Sequence, residues 1–342
     1  MMEATAEQAI TAMPVEAQAT ATENRAKKPD GKSGKRRSRI SNRRLKEIFF
    51  AYGMLLLPLI QFAIFYIWIN ANSIMMAFQS FFGVADDGGE LFIWSVDNFA
   101  RLFKELGNSD TVVHIALINT MKYFAAGLCM IPVSFLVAYF LYKKVWGYKF
   151  FRVMFFLPAI ISAVLFVATY KQIISYGGPL DKLLSVFGMR IPNLLGDEDN
   201  VTGTIIAYTV WTGLGVNMLL YQGAMSRIPQ EVIEAGMLDG VPWWRELFQI
   251  IIPMVWPTIS TTLILVITSM FNSTGPILLF FGAGESVDNA AHMTISFWIY
   301  NQTSKANLNY PATVGVFFTL VSVPVVFLVR WALNKVDPQV TY

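Results

Sequence analysis

Six long runs of apolar residues constrain this chain more than any other feature. A helix needs about 20 apolar residues to cross a hydrocarbon core of about 30 Å, and each run has about that length. Lipid offers the backbone no hydrogen-bond partner, so each run is predicted to be helical. The runs are continuous rather than alternating, which argues against a membrane barrel. The predicted spans are residues 49–69, 115–141, 150–170, 203–221, 250–271 and 312–333.

The composition indicates an integral membrane protein rather than a soluble enzyme. Of 342 residues, 55% are hydrophobic and 14% are charged, whereas a soluble domain averages roughly 25% charged residues. A chain this apolar could not cover its own surface in water. We therefore predict an all-α polytopic membrane protein with six transmembrane helices. The net charge of +3 is too small to indicate a nucleic-acid partner.

The Lys and Arg residues predict how the spans are oriented. Eleven of them fall between Arg25 and Lys46, in a segment with too few large apolar residues to fold, so residues 1–48 are predicted to be a disordered basic cytoplasmic tail. With the N-terminus inside, nineteen Lys and Arg lie on the cytoplasmic side and six on the other. Positive residues favour the cytoplasmic side. Both termini are therefore predicted to be cytoplasmic, with residues 336–342 as a C-terminal tail.

The cytoplasmic connection at residues 226–249 has the pattern of two short helices. Pro229 suits a first helical turn, and Gly240 can take the left-handed conformation that ends a helix near Leu238. Pro242 then opens a second helix that continues into the fifth span. An apolar stripe on the first helix predicts a partner surface, and its members are Ile228, Val232, Ala235 and Leu238.

The same connection carries a recognisable order of residues: Glu234-Ala235-Gly236, Asp239-Gly240-Val241, and then Phe248, Ile250 and Pro253. This order resembles the EAA loop of permease subunits of binding-protein-dependent ABC importers. Gly236 and Val241 depart from the alanine that is usual in the family, but both are small or modest in size.

Further pieces of the resemblance occur in the family's order over residues 50–335. They are Val96-Asp97-Asn98-Phe99, Asn119-Thr120, Arg152, Pro158, Trp211 and Ile228-Pro229. Together they resemble the carbohydrate branch of the family, of the maltose, lactose and glycerol-3-phosphate type in its first-permease form.

The resemblance implies a type I ABC importer permease fold, here at residues 49–335, in a bacterial cell membrane. It implies four kinds of partner: a second related permease, two copies of an ABC ATPase, an extracytoplasmic solute-binding protein and membrane lipid. It also implies that the loop docks on the ATPase, with coupling residues Glu234, Ala235, Gly236, Asp239 and Gly240. Thr209, Phe271 and Asn272 fall where relatives place substrate contacts.

Polar and aromatic residues within the spans suggest the substrate pathway. Trp211 and Asn217 join Thr209 in the fourth span, and Phe271 and Asn272 end the fifth. Rings and amides suit a sugar, which stacks on aromatic faces and hydrogen-bonds through its hydroxyls. The alternative is that these polar groups only bond neighbouring helices.

Several kinds of chemistry are not expected from this sequence. No phosphate-binding loop is present, so ATP hydrolysis is expected from a separate subunit and the chain is not predicted to be an enzyme. No Cys/His spacing suits zinc, no cofactor is predicted, and His114 and His292 are expected at the extracytoplasmic surface.

Three other functions are alternatives to a sugar importer. A secondary transporter would need acids within its spans, and the six runs contain none. A membrane-embedded enzyme would need a cluster of His, Asp or Glu. Within the importer class, glycerol-3-phosphate, a polyol or another solute could replace a sugar.

Overall fold

The structure is a computed structural model that describes residues 42–84, 90–282 and 290–336. It has two compact units, with the boundary between Phe65 and Tyr66. The described part of the first unit is helical: α1 covers Asn42–Phe62, and a π-helical segment, Ala63–Trp68, begins in the first unit and ends in the second. Residues 42–48 are therefore helical where a disordered tail was predicted, because the apolar helix extends to its polar neighbours. Residues 1–41 of that tail lie outside the described residues.

The second unit is built almost entirely from helices. Its elements are α2 (Ile69–Ala77), β1 (Gln79–Val84), β2 (Glu90–Trp94), α3 (Asp97–Leu106), α4 (Val112–Tyr142), α5 (Tyr148–Ile160), α6 (Ala163–Ile174), α7 (Pro179–Ser185), α8 (Glu198–Met225), α9 (Gln230–Leu238), α10 (Trp243–Arg245), a π-helical segment (Glu246–Ile251), α11 (Ile252–Thr268), α12 (Gly275–Phe281), a 3₁₀ turn (Ala290–His292), α13 (Ile295–Ser304) and α14 (Asn309–Val336).

Five helices in the described parts of the chain are long and apolar enough to cross a membrane, and a bent pair provides a sixth if it is one span. The predicted six-span, mostly helical architecture is confirmed. Four of these helices contain a predicted apolar run completely and extend beyond it, whereas the helix of the fifth span ends at Thr268, three residues before the predicted end of that run. The bounds of the five helices are Lys46–Ala77, Val112–Tyr142, Glu198–Met225, Trp243–Thr268 and Asn309–Val336.

The predicted third span, residues 150–170, is not a single straight helix. It is divided between α5 and α6, and the two helical stretches on either side of the break differ in direction by 111°. Ile161 and Ser162 carry extended ψ values of 144° and 127°, which end the first helix. Hydropathy does not reveal this break because apolar residues flank it on both sides. Pro158, in the last turn of α5, is the local signal that marked a kink.

A β-hairpin is the one departure from an all-α structure among the described elements. β1 and β2 pair antiparallel, with a bulge between Phe81 and Gly83. The hairpin is held at its base, where the Gln79 carbonyl accepts hydrogen bonds from the Nδ2 atoms of Asn98 and Asn309, both at 3.0 Å. Asn98 therefore ties α3 to the hairpin. This member of the Val96-Asp97-Asn98-Phe99 motif thus has a structural role.

The Asn119-Thr120 pair performs a similar task inside the second unit. Asn119 Nδ2 donates to the carbonyls of Ala291 and Met293, at 2.8 and 3.0 Å. Thr120 Oγ1 accepts from the Ile295 backbone N–H at 3.0 Å. Both side chains are buried, so they satisfy backbone groups that would otherwise lack partners away from water.

The core of the second unit is divided into two clusters along the spans. The first halves of α4 and α8 pack with α3, α6, α12, α13 and α14. The second halves of α4 and α8 pack with α9, the π-helical segment and the start of α11. The connection after the fourth span therefore lies at the same end of the unit as the end of the second span, as the Lys and Arg distribution predicted.

Candidate functional site

The loop predicted to couple to an ATPase contains a well-defined helix, α9. It begins after Pro229, and Glu231 lies in its first turn, where a negative charge is favoured by the helix dipole. Gln230 Nε2 donates to Glu234 Oε1 at 2.8 Å, one turn along the same helix. Ile233 is buried in the core of the second unit, whereas Glu234 and Ala235 are exposed. The glutamate is thus held in position on an open surface.

The end of α9 forms a Schellman motif around Gly240. The Val241 N–H donates to the Gly236 carbonyl at 3.0 Å, and the Gly240 N–H donates to the Met237 carbonyl at 3.1 Å. Gly240 has φ of +66°, a conformation that costs a residue with a side chain roughly 1 kcal/mol or more. The predicted end of the helix at Leu238, and the left-handed glycine after it, are confirmed.

Gly236, where the family usually has alanine, lies against the segment that follows the loop. A Cβ atom at this position would stand 3.2 Å from Ile250 Cδ1, closer than most contacts between carbon atoms. The glycine therefore allows α9 to approach the π-helical segment closely. Glycine in place of the usual alanine thus permits tighter packing between α9 and the π-helical segment. The exposed side chains of the loop are unaffected by this difference.

Most of the predicted apolar stripe on this loop remains uncovered by the chain itself. Ile228 is the exception, because it is buried in the second core cluster. Val232, Ala235 and Leu238 are exposed, and Leu238 shows 89% of its surface. A helix with exposed apolar residues at this spacing presents a surface suited to a protein partner.

A cavity of about 170 Å³ lies between α4, α8 and the end of α11. Thr209 lines it, together with Tyr123, Met130, Ser269 and Ser273. Tyr123 is 7% exposed, and its hydroxyl oxygen has no hydrogen-bond partner among the described residues. The cavity wall is otherwise largely apolar, so this hydroxyl is a group that a polar ligand could satisfy.

Trp211 and Asn217 do not line this cavity. The Trp211 ring packs against Phe166 and Tyr170, with centroids 5.1 and 6.4 Å away. Asn217 Nδ2 donates to the Gly213 carbonyl at 3.2 Å and lies 4.0 Å from Met130 Sδ. Asn217 therefore borders a cavity residue without entering the wall.

Phe271 and Asn272 lie just beyond α11, next to the cavity but outside its lining. The Phe271 ring packs against Phe318 with a centroid separation of 4.7 Å. Asn272 is exposed, and its backbone N–H donates to the Ser269 carbonyl at 2.9 Å. Of the five predicted pathway residues, only Thr209 lines the cavity. It lies there beside residues of the other two spans.

Sequence reasoning missed Tyr123 and Ser273 in this wall, and the pathway prediction selected neighbours of Ser269 rather than Ser269 itself. Tyr123 shares a face of α4 with Gly127 and Met130 at helical spacing, and that pattern was the available signal. The two serines flank Phe271 and Asn272, so the predicted region was correct but the side chains facing the cavity differ. The chain leaves the helix after Thr268, so helical spacing along the apolar run does not tell which of these residues face inward.

The histidines do not form a site, and one prediction about them is wrong. His292 was expected at the surface but is 1% exposed, and its ring stacks on Phe281 with centroids 4.0 Å apart. His114 is half-buried, with Nδ1 2.7 Å from the Leu106 carbonyl. No group of three or more potential metal ligands occurs in the described part of the chain.

Comparison with known proteins decides the family. Residues 130–342 match the family of binding-protein-dependent transport system inner membrane components. The chain belongs to this family. As an inner membrane component of this kind, it is a multi-pass membrane permease, and the matched region includes α8, the loop predicted to couple to an ATPase, and the fifth and sixth spans.

Its relatives include permeases named for sugars and for glycerol-3-phosphate. The multiple sugar-binding transport system permease protein MsmF of Streptococcus mutans is 21% identical over 86% of this chain and 98% of its own length. The lactose permease protein LacF of Rhizobium radiobacter is 29% identical over 70% of this chain and 80% of its own length. The sn-glycerol-3-phosphate permease protein UgpA of Pectobacterium atrosepticum is 23% identical over 73% and 82%.

Solved structures share the fold of this permease. One is a bacterial ABC transporter involved in the import of the acidic polysaccharide alginate, with a TM-score of 0.72 and 20% identity over 86% of this chain and 98% of that chain. A second is the alginate transporter in complex with a periplasmic protein bound to an alginate pentasaccharide, with a TM-score of 0.71 and 20% identity over 87% and 99%.

Proposed function

We propose that this chain is the membrane-spanning permease subunit of an ATP-driven importer for a sugar or oligosaccharide. An extracytoplasmic binding protein would deliver the substrate, and a separate ATPase would supply the energy. The observation that carries the proposal is α9, a helix with the order of residues of the EAA loop that presents Glu234 and an apolar stripe to a partner. Relatives named for multiple sugars and for lactose support the substrate class.

The coupling step would begin at α9. Glu234 and Ala235 would enter a cleft of the ATPase, while Gly236, Asp239 and Gly240 shape the end of the helix and its turn. A carboxylate that accepts a charge-assisted hydrogen bond from a partner contributes about 1.5–3 kcal/mol. Because Ile233 is fixed in the core, displacement of α9 would be transmitted to the ends of α4 and α8.

The substrate would pass beside the cavity between α4, α8 and α11. Thr209 and the Tyr123 hydroxyl would offer hydrogen bonds to sugar hydroxyls. Phe271 and Asn272 would contact the sugar at the edge of the cavity, next to Ser269 and Ser273. A cavity of about 170 Å³ is smaller than an oligosaccharide, so a second, related permease would supply the opposite wall.

The proposed assembly is therefore one heterodimer of permeases with two ATPase subunits and an extracytoplasmic binding protein. Both termini of this chain would be in the cytoplasm, on the side that carries α9. The binding protein would dock at the opposite end, which carries the hairpin and α13. A fold neighbour that binds a loaded periplasmic protein supports this arrangement.

One other solute has specific support, because UgpA, a permease protein for sn-glycerol-3-phosphate, is among the relatives. A secondary transporter is less well supported, since the acid at Glu246 lies at the coupling end and is paired with Lys143 rather than alone within a span. A membrane-embedded enzyme is also less well supported, because the two histidines lie in different surroundings.

The test is uptake by the complete complex in proteoliposomes with ATP inside and the loaded binding protein outside. The probes are radiolabelled lactose, maltotriose and sn-glycerol-3-phosphate. ATP-dependent accumulation of either sugar is expected. Accumulation of glycerol-3-phosphate alone would support the alternative solute, and accumulation driven by an ion gradient without ATP would contradict the importer assignment.

The coupling assignment is tested with Glu234→Ala against Glu231→Ala, a matched exposed carboxylate on the same helix. Loss of the docking hydrogen bond predicts that Glu234→Ala weakens retention of the ATPase by roughly tenfold to a hundredfold. Glu231→Ala should retain the ATPase because it lies outside the matched motif. Equal retention in both variants would show that α9 is only a connector.

A further inference from the structure

A buried carboxylate lies where the coupling loop joins the fifth span. Glu246 is 6% exposed and begins the π-helical segment Glu246–Ile251. A carboxylate buried to this degree requires a partner for its charge. Its position, between the turn at Gly240 and the membrane helix α11, places it on the route that any displacement of α9 must follow along the chain.

The partner is the lysine that ends the second span. Lys143 Nζ donates to both carboxylate oxygens of Glu246, each at 2.8 Å, although 103 positions separate the two residues. Lys143 is the C-terminal cap residue of α4, where a positive charge is also favoured by the helix dipole. The ion pair therefore joins the end of one span to the start of another.

A second set of contacts joins the same two elements. Tyr139, one turn before Lys143, donates its hydroxyl hydrogen to the Trp243 carbonyl at 3.3 Å. The Phe140 and Trp243 rings lie 6.0 Å apart at their centroids. These contacts fix the end of α4 against α10, so the ion pair belongs to an extended junction rather than to a solvent-exposed surface.

The helix at this junction has a built-in point of weakness. Pro253 lacks an N–H, and in a regular α-helix its ring would clash with the Gln249 carbonyl, so the wider π-helical turn relieves the contact. Prolines and π-helical turns are the usual places at which helices kink. Without a brace, displacement of α9 would bend this segment instead of moving α11 with it.

We propose that the Lys143–Glu246 ion pair is that brace: a pair of positioning residues that makes α4 and α11 follow α9 together. The inference rests on the proposed function, because it assumes that α9 is displaced by an ATPase. A buried ion pair often adds little net stability compared with apolar residues of similar size. The role assigned to the pair is therefore to transmit motion rather than to stabilise the fold.

The test measures how much sugar moves for each ATP hydrolysed in the reconstituted complex. Three variants are compared: Lys143→Met, the double variant Lys143→Met/Glu246→Met, and the exchange Lys143→Glu/Glu246→Lys. The matched control is Lys149→Met, an exposed lysine at the start of α5 on the same side of the unit. The probe is whichever of lactose and maltotriose the unaltered complex accumulates.

The double apolar variant should assemble and still hydrolyse ATP, while its uptake per ATP falls about tenfold. The exchanged pair should restore a large part of that ratio, and the control should keep the original value. Lys143→Met leaves the buried Glu246 charge unpaired, so this variant is expected to lose assembled complex. The decisive comparison is with the double variant, which leaves no charge unpaired.

Two outcomes would overturn the inference while leaving the proposed function standing. One is an unchanged ratio in the assembled double variant, and the other is an exchanged pair that assembles but is as uncoupled as the double variant. Failure of the unaltered complex to show ATP hydrolysis stimulated by its binding protein would instead contradict the proposed function itself.

Discussion

The close approach of α5 to α8 at Gly215 predicts a large effect from a single added methyl group. Gly215 is buried in α8, and a Cβ atom there would stand 2.3 Å from the Phe155 carbonyl oxygen and 3.1 Å from Phe156 Cα. These are backbone atoms, so no side-chain rotation relieves the overlap. Ordinary contact begins at 3.4 Å, so the helices must separate by roughly 1 Å.

The expected cost of Gly215→Ala follows from this geometry. Overpacking of a well-packed interior typically costs about 1–3 kcal/mol, and a rigid backbone neighbour places this substitution at the upper end. The loss is opposed by the better helix propensity of alanine, at most about 1 kcal/mol. The net result is destabilisation of the packing between the divided third span and the fourth span.

The matched control is Gly223→Ala, which lies on the same helix with no atom within 4 Å of its added Cβ. The assay is the thermal stability of the purified complex in detergent, followed by fluorescence-detected size exclusion. Gly215→Ala should melt at a lower temperature than the unaltered protein, and Gly223→Ala at the same or a higher temperature. Equal stability of the two variants would refute the close approach of α5 to α8.

Three further predictions concern the loop, the cavity and the topology. Gly240→Val should reduce stimulated ATP hydrolysis more than Gly240→Asn, because asparagine tolerates the left-handed conformation whereas a β-branched residue is strained by about 1 kcal/mol or more; equal activities would show that the turn does not matter for coupling. Tyr123→Phe should lower sugar uptake by roughly twofold to tenfold through the loss of one hydrogen bond, and unchanged uptake in a normally assembled complex would remove Tyr123 from the pathway. A tag after Tyr342 should react only after sealed cells are opened, and labelling of intact cells would contradict the cytoplasmic C-terminus.

Much of the structure of the loop that contains α9 could be predicted from the sequence because its determinants are local. The end of α9 depends on one residue that accepts positive φ, and Gly240 supplies it. The lengths of the spans depend on how many apolar residues follow one another, which is also local. The same rule did not reveal the break at Ile161 and Ser162, since a bend between two apolar segments leaves hydropathy unchanged.

The candidate pathway was harder to predict because it depends on which side of a helix meets its neighbours. Phe271 and Asn272 were chosen from polarity and resemblance, yet the adjacent Ser269 and Ser273 line the cavity. His292 was assigned to the surface from its position in a connection, but packing of the 3₁₀ turn against α4 and α8 buries it. Neither result follows from residues close in sequence.

The sequence by itself determined that this chain crosses a membrane several times, which connections share a side, and where α9 begins and ends. Each of these depends on residues within one segment, through hydrophobic length, charge and backbone conformation. Only the tertiary structure decided that Lys143 meets Glu246, that Gly215 admits the α5 backbone and that Tyr123 faces a cavity. Such contacts join residues far apart in the chain, and they exist only once the helices have packed.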